Sequence, residues 1–202
     1  MKILEAELIS PEILIEKLRG LTMLKDKNIQ PYKNAFISLE KICVDQLFPS
    51  QRYVLKKELL KVRELQWSLE KHGIDIFNLN GFVRLHLENE TEPIDLLPPV
   101  VEEFIENNGK IVHIINDGMH RVYMAYLEWI IPQVIFIRGL PKHIPYYAFP
   151  IPEKDWTKIE LTDDIPPGLI KKWHRIEQNK TLYRDFNSVF KNVGGPRGNR
   201  SD

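Results

Sequence analysis

The sequence predicts an α/β (α+β) fold, a compact mixed sheet with flanking helices and an extension at each end. Three observations carry that expectation. Short apolar runs that suit strands alternate with stretches of helical periodicity. Asn107-Asn108-Gly109 separates two apolar segments, which is a strong short-range hairpin signal. Ile111 to Ile115 then runs through Asn116-Asp117-Gly118 directly into a helical pattern, and Pro132 to Ile137 reads as a returning strand.

The bulk numbers bound the class. A chain of 202 residues with 43% hydrophobic and 28% charged content is ordinary for a globular protein with a sizeable core. Lys+Arg and Asp+Glu both number 28, so the formal charge is zero and the basic excess of a duplex-DNA binder that relies on phosphates is missing. The single cysteine, Cys43, forms no intrachain disulfide and reads as a small hydrophobe. Met1-Lys2 is followed by Glu5, Glu7 and Glu12 rather than by a signal-like apolar region. The longest apolar run, Trp129 to Ile137, is broken by Pro132 and Gln133 and is too short to span a bilayer. A cytoplasmic location away from membranes is expected.

Along the chain, Ser10 can cap a short helix with Pro11 at its first position, and Gly20 is a plausible stop. Residues 21–34 read as a polar linker, so 1–34 form a helical N-terminal extension. Ala35 to Ile42 reads as a strand. A long helix is expected from about Gln51 to His72, since Leu55, Leu59, Val62, Leu65 and Leu69 make one apolar stripe and Gly73 follows as a C-cap. Phe82 to Leu87 alternates and reads as a strand. After Leu97-Pro98-Pro99, residues 100–107 fit either the first strand of the hairpin or a helix, and the sequence leaves both open. Beyond Gly118, Val122, Ala125, Tyr126 and Trp129 share one face, and Met119, Tyr123, Met124 and Leu127 cover much of the rest. A helix apolar nearly all round is buried. If the strands flanking it are parallel, the crossover is right-handed.

Residues 35–140 make the expected core domain. Residues 141–193 form a C-terminal extension rich in proline (Pro141, Pro145, Pro150, Pro152) and aromatics (Tyr146, Tyr147, Phe149), and 194–202 read as a disordered tail. Within the extension, residues 171–184 mix basic side chains with Trp173 and Tyr183. A solvated amphipathic helix is the simpler reading of that stretch, and a grip on single-stranded nucleic acid is the sharper one.

Asp117-Gly118-Met119-His120-Arg121 is the most informative stretch. A strand that delivers the chain through a tight turn into a helix makes an anion site, because the first helical amides have no internal partner. Gly118 permits close backbone approach to a ligand, although a tight turn alone also explains it. Asp117 suits an N-cap, a base, or a water-mediated Mg²⁺ ligand. His120 suits phosphate contact or proton transfer. Arg121 offers a fork of donors for phosphate oxygens, with a surface ion pair to Glu128 as the simpler alternative.

This stretch, followed by Ala125, resembles the Asp-Gly-x-His-Arg signature of the ParB/sulfiredoxin-like superfamily. Leu97-Pro98-Pro99-Val100-Val101 is similar to its Pro-Ile-x-Val strand, Ile131-Pro132-Gln133-Val134-Ile135 to the strand after its short helix, and the helix at 51–72 to the one before. The resemblance covers residues 35–140. It implies phosphate binding at Gly118, Met119, His120 and Arg121, with a nucleotide and Mg²⁺ as the expected cofactors. Members of the superfamily transfer phosphoryl groups or hydrolyse nucleotides, and some have been called nucleases. Two departures narrow the choice. Met119 stands where sulfiredoxins carry a cysteine, and residues 141–202 show no helix-turn-helix of the kind that follows the core in partition proteins.

The leading expectation is a nucleotide-binding phosphotransferase or nucleotide hydrolase, with Asp117 and His120 as catalytic candidates and an unknown small-molecule or protein acceptor. The alternatives are a nucleic-acid-binding or nuclease-like accessory protein and a non-catalytic scaffold. Phosphoryl transfer also needs a carboxylate to orient the acceptor. Asp95, Glu102, Glu103, Glu58 and Glu64 are equal candidates by sequence. His72, His86, His113, His143 and His174 show no metal-ligand spacing.

Overall fold

A computed structural model describes residues 1–145, 156–167 and 181–194. Most of the basic–aromatic stretch at 171–184, the aromatic run Tyr146 to Phe149 with Pro150 and Pro152, and nearly all of the tail lie outside the described residues. The chain forms β1 (Ile3–Ile9), α1 (Pro11–Gly20), β2 (Thr22–Met23), β3 (Phe36–Lys41), β4 (Tyr53–Leu55), α2 (Lys56–Glu70), β5 (Phe82–Leu87), β6 (Ile94–Leu96), β7 (Val100–Ile105), β8 (Ile111–Asp117), α3 (Met119–Leu127), β9 (Gln133–Arg138), β10 (Glu160–Thr162) and β11 (Arg184–Asp185). Among the described residues, mixed sheets and three α-helices make this an α+β architecture.

The main sheet has the order β3-β9-β7-β8. β3 and β9 are antiparallel from Phe36↔Arg138 to Lys41↔Gln133, and β7 runs parallel to β9 from Val100↔Ile135 to Glu102↔Ile137. β7 and β8 form the hairpin, with Gly109 at φ +80° in its turn, which settles residues 100–105 as strand. Phe48 continues the sheet beyond β8 through a parallel bridge to Ile114. β1, β5 and β6 make a second, antiparallel sheet.

Each face of the main sheet carries its own core, and β9 shows why. Val134 and Phe136 point to the side of α2 and α3, while Ile135 and Ile137 point to α1, as the two-residue period of a strand requires. Leu14 and Leu18 of α1 are fully buried against that second side, together with Tyr32 and Phe82. The N-terminal residues are thus part of the folded core.

Four local expectations change. Residues 3–9 form a strand that the sequence reading did not anticipate. The long helix begins at Lys56 rather than near Gln51, because Tyr53, Val54 and Leu55 are buried and extended and pair in parallel with β10. The strands joined by α3 run antiparallel to each other, with β7 between them, so the condition for a right-handed parallel crossover does not arise. Finally, α3 ends at Leu127, and Trp129 leaves the apolar face: its φ is +56° and it is 94% exposed.

Candidate functional site

β8 ends at Asp117, and Gly118 turns the chain into α3 with φ +85° and ψ +20°. This left-handed conformation favours glycine. Space demands it as well, since a Cβ would stand 2.9 Å from both Cα and Cβ of Pro99 and 3.2 Å from Nη2 of Arg121. The Leu97-Pro98-Pro99 segment therefore closes one side of the turn. Gly118 is the N-cap residue of α3, and its carbonyl accepts from the amides of Arg121 (2.9 Å) and Val122 (3.0 Å). The amides of Met119 and His120 come before the first helical acceptor.

The five signature residues divide between inside and outside. Met119 is buried in the core shared with α2. Arg121 is also buried: its Nη1 donates a short hydrogen bond to the Leu97 carbonyl, and its Nη2 lies 3.8 Å from the Asp117 carboxylate. Burial pushes the Arg121 pKa below its ordinary value, against the opposing pull of Asp117. Asp117 is partly exposed and sits in that ion pair rather than capping the helix with its side chain. Glu128, the simpler partner considered for Arg121, pairs instead with Arg63 of α2.

His120 is half-buried, and its Nε2 faces the backbone N–H of Leu55 at 3.4 Å. Accepting that proton requires a neutral ring protonated on Nδ1. Leu55 is the N-cap of α2, so His120 joins the start of α2 to the start of α3. Lys56 and Lys57 open α2, paired with Asp163 at 2.9 Å and Asp164 at 3.9 Å just beyond β10. Trp156 anchors that returning segment: its indole N–H donates to the Leu47 carbonyl (3.3 Å), and its ring stacks on Tyr126 at 5.7 Å.

The candidate carboxylates hold polar partners of their own. Asp95 binds Arg84 and the amide of Lys191, Glu103 faces His113 at 3.2 Å, Glu58 pairs with Lys61, and Glu64 lies 3.8 Å from the N-terminal ammonium. Glu102, in the centre of β7, is fully buried. It accepts from Tyr32 (2.6 Å), Asn116 (2.6 Å) and two nitrogens of Arg184 (both 2.9 Å). Arg184 further donates to the carbonyls of Leu182, Pro145 and Ile144. Burial is the largest single influence on the Arg184 cation and works against it, but the attraction and hydrogen bonds of Glu102 and Tyr32 together offset it and hold the pKa above the ordinary arginine value. The Tyr32 hydroxyl is pushed well above its usual range, chiefly by burial and then by Glu102.

Nothing in the sequence signalled this network. Tyr32 lay in an apparent linker and Arg184 in an apparent basic surface, so the partners became visible only in three dimensions. The network bears on the site because Asn116 immediately precedes Asp117. Among the described residues, no group of three His, Cys, Asp or Glu side chains could hold a metal ion, and no helix is long and apolar enough to cross a membrane.

No curated protein and no solved structure matches the chain. The family model described as the ParB CE domain matches residues 13–160, from within α1 to the start of β10. That span takes in the main sheet, α2, the Gly118 turn and α3. On that match over well more than half of its length, the chain belongs to the ParB CE domain family.

Proposed function

We propose that this protein binds a nucleotide through its phosphates at the Gly118 turn, where the starts of α2 and α3 meet. One observation carries the proposal: the left-handed Gly118 opens α3 so that the amides of Met119 and His120 precede its first helical acceptor, while the His120 ring meets the amide of Leu55, the N-cap residue of α2. Unsatisfied helix N-terminal amides and the positive end of the helix dipole favour anions. Met119 contributes its backbone N–H, since its side chain is buried. His120 contributes its ring and its amide. Arg121 acts from behind, holding the turn to the Leu97 carbonyl rather than reaching the ligand.

Mg²⁺ fits this reading in a limited way. Mg²⁺ is commonly bound by one or two carboxylates together with substrate phosphates. Asp117 is partly exposed at the mouth of the turn and would be the protein's ligand. The bound ion would neutralise phosphate charge. For phosphoryl transfer or hydrolysis, His120 is the side chain available to carry a proton, with the acceptor unspecified.

Membership in a ParB-type family supports a second reading, nucleic-acid binding. The zero net charge weighs against it, and so does Arg184, a basic residue of the 171–184 stretch that is buried on Glu102.

Calorimetric titration with ATP, CTP and GTP in the presence of Mg²⁺, alongside His120→Ala, tests the proposal. We expect one nucleotide to bind and the variant to lose about tenfold in affinity, equivalent to ~1.4 kcal/mol. Binding of single- or double-stranded oligonucleotides with a steep salt dependence, and of no mononucleotide, would support the second reading instead.

A further inference from the structure

The outer face of α2 is built like half of a symmetric interface. Leu60 and Trp67, two turns apart on one line of the helix, are 65% and 58% exposed. Residues three and four positions before and after Trp67 flank that line. On one flank stand Glu64 and Lys71, and on the other Arg63 and Glu70, so each flank carries one acid and one base in opposite order along the helix. We infer that this face is the docking surface for a second copy of the same chain, with the two α2 helices packed antiparallel about a dyad at Trp67.

The register follows from symmetry. A dyad between antiparallel helices brings like flanks together, because an isologous interface sets the same patch against itself. With the axis at Trp67, the two indoles meet at the centre, where hot-spot residues concentrate. Glu64 of one copy then lies within one residue of facing Lys71 of the other on the same flank, as Arg63 does with Glu70; each pair occurs twice. A parallel arrangement would instead set Glu64 beside Arg63 and Lys71 beside Glu70, each within one residue of register, so reversing both Glu64 and Lys71 would oppose like charges there while restoring opposite charges in the antiparallel pair.

A neighbouring feature widens the patch. Arg63 already pairs with Glu128, whose chain neighbour Trp129 is almost fully in water with a left-handed backbone. Such a conformation is uncommon for a bulky residue. It holds a second indole outward beside the same helix.

The interface is small. A helix of 15 residues spans about 22 Å, so the contact falls at or below the lower end of standard protein interfaces. The dimer is therefore weak and concentration-dependent.

Sedimentation velocity on the full chain across a wide concentration series tests this, with Trp67→Ala, Glu64→Lys, Lys71→Glu and the double reversal Glu64→Lys/Lys71→Glu. All four changes lie on exposed positions, so the fold tolerates them. The wild type should show a monomer–dimer equilibrium, and Trp67→Ala should be monomeric. Each single reversal should weaken association about tenfold, since it sets like charges against each other twice. The double reversal should restore association to near the wild-type level. Residues 64 and 71 are two turns apart and do not touch within one helix, so restoration can only arise between copies. A wild type that stays monomeric overturns the inference, as does a dimer indifferent to Trp67→Ala. Failure of the double reversal to restore association overturns the register. The readout is independent of nucleotide binding.

Discussion

Gly118 shows how one residue can be required twice. Its φ of +85° would strain any side chain, and the space where a Cβ would go is filled by Pro99. Gly109 offers the control, because its φ of +80° is similar and nothing lies within 4 Å of its would-be Cβ. Gly109→Ala should therefore show backbone strain alone, about 1 kcal/mol. Gly118→Ala should lose that and roughly 1–3 kcal/mol more, since Pro99 is a rigid neighbour on the following strand's lead-in. Urea unfolding of both variants measures the difference. Equal losses would mean that Pro99 gives way easily and that the turn is shaped by something other than this wedge. The same residue scale separates Arg121 from His120. A buried guanidinium held on a carbonyl is structural first, whereas the half-buried imidazole, in contact with the Leu55 amide, is the side chain that the proposed site offers to a ligand.

Among the elements, what the sequence disclosed depended on how many faces each one buries. β3, β5, β8 and β9 were legible because their apolar residues run together or alternate, and α3 because it is apolar on most sides, whereas residues 100–107 fitted a helix as well as the strand that forms β7. β1 was not. As the edge of a three-stranded sheet it carries Glu5, Glu7 and the exposed Leu4 and Leu8 outward, so no period of two marks it. β4 was absorbed into the expected helix because Leu55 fits the apolar stripe of α2, while its partner β10 lies more than a hundred residues away. The returning segment that contains β10 is held mainly by Trp156. Trp156→Ala should lower stability by about 3 kcal/mol by removing the contact with Tyr126 and the bond to Leu47. Hydrogen exchange should speed up most at the Glu160 amide, which now donates to the Arg52 carbonyl, and little in β7. Uniform loss of protection would show that β10 is part of the global unfolding unit.

For the molecule as a whole, the Glu102–Arg184 pair does what no local pattern can. It fastens β11, near the C-terminal end of the described chain, and Tyr32, before β3, to the centre of β7. Both charges are fully buried, and the Glu102 carboxylate accepts hydrogen bonds from three segments, through Tyr32, Asn116 and Arg184. A buried ion pair adds little stability over a well-packed apolar pair, because desolvation offsets attraction, but removing one partner strands the other charge. Arg184→Met should therefore cost about 3–5 kcal/mol, and Glu102→Leu a similar amount. The double variant Glu102→Leu/Arg184→Met should cost well under the sum, with a coupling of at least about 2 kcal/mol in a double-mutant cycle of urea unfolding energies. Additive losses would mean that each side chain is anchored by its other partners, the Leu182, Pro145 and Ile144 carbonyls for Arg184 and the Tyr32 hydroxyl with Asn116 for Glu102. Strong coupling would instead identify the pair as the joint between the C-terminal segment and the sheet. Because Asn116 is a partner of Glu102 and the direct neighbour of Asp117, loosening that joint should also weaken ligand binding at the Gly118 turn without any change in the turn's own residues.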